Sequence, residues 1–411
     1  MKFKNTFLLL FLLMISCGNS HVLQQDPEIM SKEVQDTIRK PVDKIVLGVD
    51  RTQDYIPKLI DKKVAVVANQ TSVIFKSDTS YTHLVDSLLN SKIQITKVFA
   101  PEHGFRGEAD AGEHVKDGKD AKTGLPLISL YGSNKKPTKA QLADVDIVVF
   151  DIQDVGVRFY TYISTMHYVM EACAENNIPV LVFDRPNPNG SYIDGPTLEK
   201  EHRSFLGMHT IPLVHGMTIA EYANMINNEG WLSNGVQCDL EVVLMKNYSR
   251  NMEYSLPIRP SPNLPNDKSI ELYPSLGFFE GTDINAGRGT EFQFQRYGAP
   301  FLDQEIFTFS YTPVPNFGAK DPKHNGELCF GEDLSEEPAP HKVELKWLIK
   351  AYKGTADKLK FFKSRSFTLH AGTEDLRKQI EDGWTEKEIR ATWQEGIEAF
   401  KLIRKKYLLY N

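Results

Sequence analysis

The chain has 411 residues, 41% of them hydrophobic and 25% charged, with a formal net charge of −6. That is enough for two cored domains of ordinary soluble composition. Both signs of charge are dispersed, and no basic stripe, RNA-binding signature or zinc-finger signature appears, which excludes a nucleic-acid partner.

The chain opens on "MKFKNTFLLLFLLMISC". Lys2 and Lys4 precede an apolar run from Phe7 to Ile15, too short to span a bilayer stably. This is the layout of a secretory signal peptide. Ser16 before Cys17 resembles a lipobox, so residues 1–17 are read as a lipoprotein signal and Cys17 as the lipidated residue. Residues 18–42 are polar and read as a flexible tether. The expectation is an exported protein, anchored in the periplasm or at the outer membrane, that meets the membrane only through lipid on Cys17. Cys173, Cys238 and Cys329 are odd in number and far apart, so buried thiols are expected rather than a disulfide framework.

Continuous apolar runs then alternate with helical patterns. "KIVLGVD" (44–50), "KKVAVVAN" (62–69), "ITKVFA" (95–100), "DIVVFD" (146–151), "IPVLVFD" (178–184) and "LEVVLMKN" (240–247) read as strands covered on both faces. "DTSYTHLVDSLLNSK", "YTYISTMHYVMEACAENN" and "TIAEYANMINNEGWL" read as the helices between them. This predicts an α/β, Rossmann-like, doubly wound and mostly parallel sheet over residues 43–255. The Pro-rich "LPIRPSPNLPNDKS" (256–269) breaks the rhythm. A smaller α+β auxiliary domain is expected over 256–411, closing in two amphipathic helices.

In such sheets ligands bind beyond the carboxyl ends of the strands. Four strands deliver polar groups there: Gln70-Thr71-Ser72, then "PEHG", then "DIQDVGVRFYTY", then "DRPNPNG". A helix cap or turn explains any one of them, but four at once, with arginines, predict a shared site. Glu102 directly follows its strand and suits a general acid. Asp151 and Asp154 are the candidates for a second catalytic carboxylate, since glycosidic cleavage uses two. His103, Arg106, Glu108, Gln70 and Arg158 are candidate ligand contacts. Asn187 and Asn189 offer amides to a hydroxyl-rich or amide-bearing ligand. Glu280 and Arg288 in "FFEGTDINAGRGTE" add a carboxylate and a cation suited to a ligand carboxylate. The absence of P-loop and dinucleotide patterns predicts no cofactor. A metal site using His103, Asp110 and His114 matches no zinc spacing, and no metal is expected.

"VANQTS", "APEHGFRGEADAGE", "DIQDVGVRFYTYISTM", "DRPNPNG…GP", "SFLGMHTIPLVHGMTIAEYAN", "PSPNLP", "YPSLGFFEGTDINAGRGTEFQFQRYGAP" and the closing "LLY" together resemble the exo-β-N-acetylmuramidase family of NamZ type, glycoside hydrolase family 171, over residues 44–411. The resemblance implies removal of non-reducing terminal β-linked N-acetylmuramic acid from peptidoglycan saccharides or muropeptides. It implies a Rossmann-like domain with a C-terminal auxiliary domain, and Glu102 as the catalytic glutamate. It assigns "DIQDVG" and "GRGT" to the substrate pocket. At Asn285-Ala286 the chain departs from the family pattern, where serine is expected first. A non-catalytic cell-wall-binding lipoprotein and a lyase giving an anhydro product are the alternatives.

Overall fold

The computed structural model describes residues 44–77, 80–106 and 117–411. Its strands, in chain order, are β1 (Lys63–Ala68), β2 (Val73–Ser77), β3 (Ser80–His83), β4 (Gln94–Ala100), β5 (Gly118–Lys119), β6 (Pro126–Ser129), β7 (Ile147–Asp151), β8 (Val180–Phe183), β9 (Asp194–Thr197), β10 (Pro212–Val214), β11 (Leu240–Val243), β12 (Arg296–Ala299), β13 (Phe309–Tyr311) and β14 (Cys329–Asp333). Seven of them form the main sheet in the order β11-β8-β7-β1-β4-β6-β5. All of its pairs are parallel except β5 with β6. Numbered along the chain, the six parallel strands lie 3-2-1-4-5-6, the order of a Rossmann sheet.

The strand composition explains why this sheet is central. Successive side chains of a strand point to opposite faces. Val64, Val66 and Ala68 join one core cluster with Val149, Leu181 and Phe183, while Ala65 and Val67 join the other with Val148, Phe150 and Val182. Apolar residues at every position therefore fill both layers. The second of these cores runs on through Phe278, Tyr297, Phe307, Phe367 and Phe400. This carries it into the smaller C-terminal region of antiparallel sheet, β12-β14-β13, and helices.

Three segments differ from expectation. "KIVLGVD" makes one bridge, Val46 with Lys246, and then a 3-10 turn over Gly48–Asp50. A Cβ on Gly48 would lie 2.4 Å from the Val243 carbonyl oxygen and 2.6 Å from the Asp184 nitrogen. The segment crosses the ends of β8 and β11 in a space that admits only glycine. "SYTH" pairs as β3 with β2, and the helix begins only at Leu84, where the His83 ring accepts the Val85 N–H. At the C-terminal end three helices replace two: Asp375–Glu381, Glu386–Thr392 and Gln394–Arg404. Gly383 breaks the pattern at φ +82°, and a Thr385/Glu388 capping box restarts it. Cys173, Cys238 and Cys329 are buried free thiols.

Arg158 ties the two regions together. It is fully buried and donates to the carbonyls of Pro196 and Ile211, each at 2.8 Å, and of His370 (3.2 Å) and Ala371 (2.6 Å). The last two close the helix Ser364–Ala371, whose negative end favours a cation. Burial pulls the guanidinium down to about 9, so it stays charged at neutral pH. Replacing it by Met strands four buried carbonyls. We expect Arg158→Met to lose about 3 kcal/mol or more in urea unfolding.

Candidate active site

A cavity of about 550 Å³ opens beyond the carboxyl ends of β4, β6 and β7. β4 ends at Ala100, and the chain turns through a Pro101 carbonyl to Gly104 N–H bond of 3.0 Å. His103 and Gly104 both take positive φ, +68° and +78°. Glycine accepts this freely; His103 does so under strain of the kind held at functional sites. The turn sets the half-buried Glu102 and the buried His103 in the cavity wall.

β7 is followed by Phe159, Tyr160, Thr161 and Tyr162, all lining the cavity, and then by the helix Tyr162–Glu175. Thr161 is the residue before that helix but does not cap it. Its hydroxyl instead donates to Glu102 Oε2 at 2.7 Å. The Tyr131 hydroxyl, beyond β6, also bonds the Glu102 carboxylate; burial and that carboxylate push the phenol well up, so it remains a donor. Tyr162 is fixed from behind by Asn69, whose amide donates to its hydroxyl at 3.0 Å.

The C-terminal region supplies the opposite wall. Glu280 and Arg288 face the same cavity, joined through Arg288 Nε to Glu280 Oε1 at 3.1 Å. Burial would raise the Glu280 carboxyl, but the Arg288 guanidinium and the Lys323 ammonium outweigh it and hold the group below its ordinary value. Lys323 itself is lowered to about 8 by burial, and it donates to the carbonyls of Phe279 (2.8 Å) and Thr282 (2.7 Å). His370 bonds the Ser366 carbonyl through Nδ1 at 2.8 Å, and burial keeps the ring neutral. A carbonyl partner places the proton on Nδ1 and leaves Nε2 as an acceptor.

Of the residues selected from sequence, Glu102, His103, Glu280 and Arg288 come together here. The others do not. Asp151 is fully buried and holds Arg185 through both oxygens, at 2.6 and 2.8 Å. Asp154 accepts the Gly156 N–H at 2.7 Å and lies 4.0 Å from His215. Burial raises Asp154 to about 7 and lowers His215 to about 3, so that contact is not an ion pair. Neither aspartate lines the cavity. Arg158 serves the fold, as above.

Arg106 pairs with Asp120 at 2.9 Å and shares a separate recess with Gln70. Gln70 also donates to the Pro260 carbonyl at 3.0 Å, holding the Pro-rich segment. Asn187 donates to Met217 and Asn189 to Val155, at 2.8 and 2.9 Å. Gly156, at φ +77°, leaves room for the Asn187 amide, which lies 2.2 Å from where its Cβ would be. The "DRPNPNG" amides are thus spent inside the fold.

Asn285 is buried too, donating to the carbonyls of Arg288 (3.1 Å) and Lys323 (2.9 Å). It shapes the loop behind the cavity rather than lining it. Glu108, Asp110 and His114 lie outside the described residues. Among the described residues no three His, Cys, Asp or Glu side chains gather as a metal site.

Sequence reading passed over Tyr131, Lys135, Thr161, Phe205, Ser261, Asn263, Tyr273 and His370 in the cavity wall. The signal for Tyr131 was a further strand, "PLIS", ending two residues before it.

The sequence matches the family described as "Exo-beta-N-acetylmuramidase NamZ, N-terminal" over residues 64–268 and its C-terminal counterpart over 271–410. It is 41% identical over 394 residues to the Bacillus subtilis (strain 168) "Peptidoglycan beta-N-acetylmuramidase NamZ", covering 91% of this chain and 93% of that one. Two crystal structures of Bacteroides fragilis DUF1343-family proteins share the fold. One has TM-score 0.82 at 42% identity over 90% of this chain and 99% of the other; the second has 0.76 at 30% over 89% and 99%.

The two displaced aspartates should respond differently to amidation. Asp151→Asn leaves Arg185 buried without its charge partner and should cost about 3–5 kcal/mol. Asp154→Asn mimics the protonated acid. The stability of the Asp154 acid is complete below its unfolded value and is lost as pH rises through about 7. Asp154→Asn should therefore cost least, or stabilise, above pH 7. Denaturant unfolding of both variants at pH 5 and 8 checks this.

Proposed function

The chain belongs to the exo-β-N-acetylmuramidase NamZ family, and from that premise we propose that the Glu102 cavity removes non-reducing terminal β-linked N-acetylmuramic acid from peptidoglycan fragments. The chain is a glycoside hydrolase of the peptidoglycan muramidase kind. Glu102 is its general acid in this proposal. The observation that carries the reading is the meeting of two carboxyl groups, Glu102 and Glu280, across one cavity, Glu102 accepting the Thr161 hydroxyl and Glu280 paired with Arg288.

The chemistry follows from that asymmetry. The glycosidic oxygen takes the Glu102 proton as the bond to the anomeric carbon breaks; water supplies the hydroxyl to that carbon, and the proton it releases returns to the Glu102 carboxylate. Thr161 and Tyr131 hold the Glu102 carboxyl in one orientation. Glu280, kept ionised beside Arg288, answers the positive charge growing on the sugar. Phe159, Tyr160, Tyr162 and Tyr273 give the ring apolar faces and exclude bulk water. The volume suits a sugar and its substituents. The proposal includes export and a lipid anchor on Cys17, beside the wall fragments; those residues lie outside the described structure.

The test is turnover of a chromogenic β-N-acetylmuramide. We expect release by the wild type, no release from the matching N-acetylglucosaminide, and a product mass corresponding to addition of water. Glu102→Gln should lower kcat by about 10²–10⁴-fold at unchanged melting temperature. A folded, fully active Glu102→Gln sinks the acid assignment. Binding of muropeptide without any turnover moves the protein to the wall-binding reading, and an anhydro product moves it to the lyase.

A further inference from the structure

Among the described residues, two cationic side chains face the cavity, Arg288 and Lys135. Arg288 is engaged by Glu280. Lys135 is half-buried and its ammonium sits 4.8 Å from the centroid of the Phe205 ring. No carboxylate among the described residues is ion-paired with it. Its neighbour Lys136 behaves otherwise, binding Glu171 and Glu175 at 2.6 and 2.8 Å. The fold thus pairs one lysine of the two with carboxylates and turns the other towards the cavity.

Phe205 belongs to an aromatic shelf. Tyr168 stacks with it at 6.3 Å and 10°, and Tyr131, which bonds Glu102, lies 6.1 Å away. One ring therefore separates Lys135 from the group that binds the catalytic carboxyl. A cation over an aromatic face, one side open to a cavity, complements a small group that is both anionic and apolar.

N-acetylmuramic acid differs from N-acetylglucosamine by such a group, a lactyl ether with one methyl and one carboxylate. We propose that Lys135 and the Phe205 ring form the lactyl subsite, Lys135 taking the carboxylate and Phe205 the methyl, and that this subsite selects the muramic sugar. The inference rests on the muramidase reading above. A stem peptide carries carboxylates of the same chemistry, so the test separates the two sources.

Wild type, Lys135→Met and Lys135→Arg are compared on three chromogenic glycosides. These are the free-acid muramide, its lactamide, and a muramoyl dipeptide whose lactyl carboxyl is tied up as an amide. Methionine keeps the aliphatic stem over Phe205 and removes only the charge. Lys135→Met should raise KM for the free acid about 10–100-fold with kcat within threefold, and Lys135→Arg should restore most of the loss. On the lactamide, wild type and Lys135→Met should be equal within about twofold. An unchanged KM for the free acid overturns the subsite. A penalty confined to the dipeptide also overturns it and assigns Lys135 to the stem peptide. A wild type inert on all three glycosides overturns the muramidase reading itself, whereas an active wild type with an indifferent Lys135 overturns only this inference.

Discussion

A charged guanidinium buried among carbonyls sets the geometry on which the site depends. Among the described residues Arg158 has no carboxylate partner; four main-chain oxygens from three separate segments solvate it. Such a group tolerates little displacement, because each lost acceptor leaves a buried donor unmet. The helix it grips presents His370 to the cavity. Gly372 ends that helix at φ +80°, and a Cβ there would lie 2.5 Å from the guanidinium. The far wall of the cavity is therefore positioned from the sheet side by a residue that never reaches it.

Charge is allocated by the same logic throughout. Asp151 with Arg185 and Glu221 with Arg250 are closed pairs inside the fold. Their Coulomb energy goes into holding strand ends and the chain around Tyr410 together, and nothing remains for a ligand. At the cavity the charged groups are held by other means. Glu102 is held by hydroxyls, Glu280 by one arginine and a more distant lysine, and Lys135 by an aromatic face. Groups held by dipoles and rings keep capacity to exchange a proton or meet an ion, whereas groups in bidentate pairs do not.

This distinction marks the limit of what the sequence discloses. Strands with apolar residues at every position were legible, and with them the parallel sheet and the edge where Glu102 stands. Which polar groups at that edge turn outward was not. "DIQDVGVRFYTY" contributes its aromatic half to the cavity and its charged half to the interior. Nothing in composition separates them, because the partners, Arg185 for Asp151 and the residue 370–371 carbonyls for Arg158, lie 34 and more than 200 positions away. The Pro-rich segment read as a boundary lines the site through Ser261, Asn263 and Leu264. Prolines do break elements, but a rigid stretch without secondary structure also makes a good wall.

The contacts that finish the fold are far apart in sequence. Arg158 reaches Ala371 across 213 positions, and the Tyr410 hydroxyl donates to the buried Asp184 across 226, at 2.6 Å. Closing loops of that length costs entropy before any contact repays it. Until the distant segments arrive, Asp184 lacks its tyrosine donor and Arg158 lacks two of its four carbonyls. A chain that has not closed those loops carries a Rossmann-like sheet with an incomplete site, because Glu280, Arg288 and His370 form part of the cavity wall.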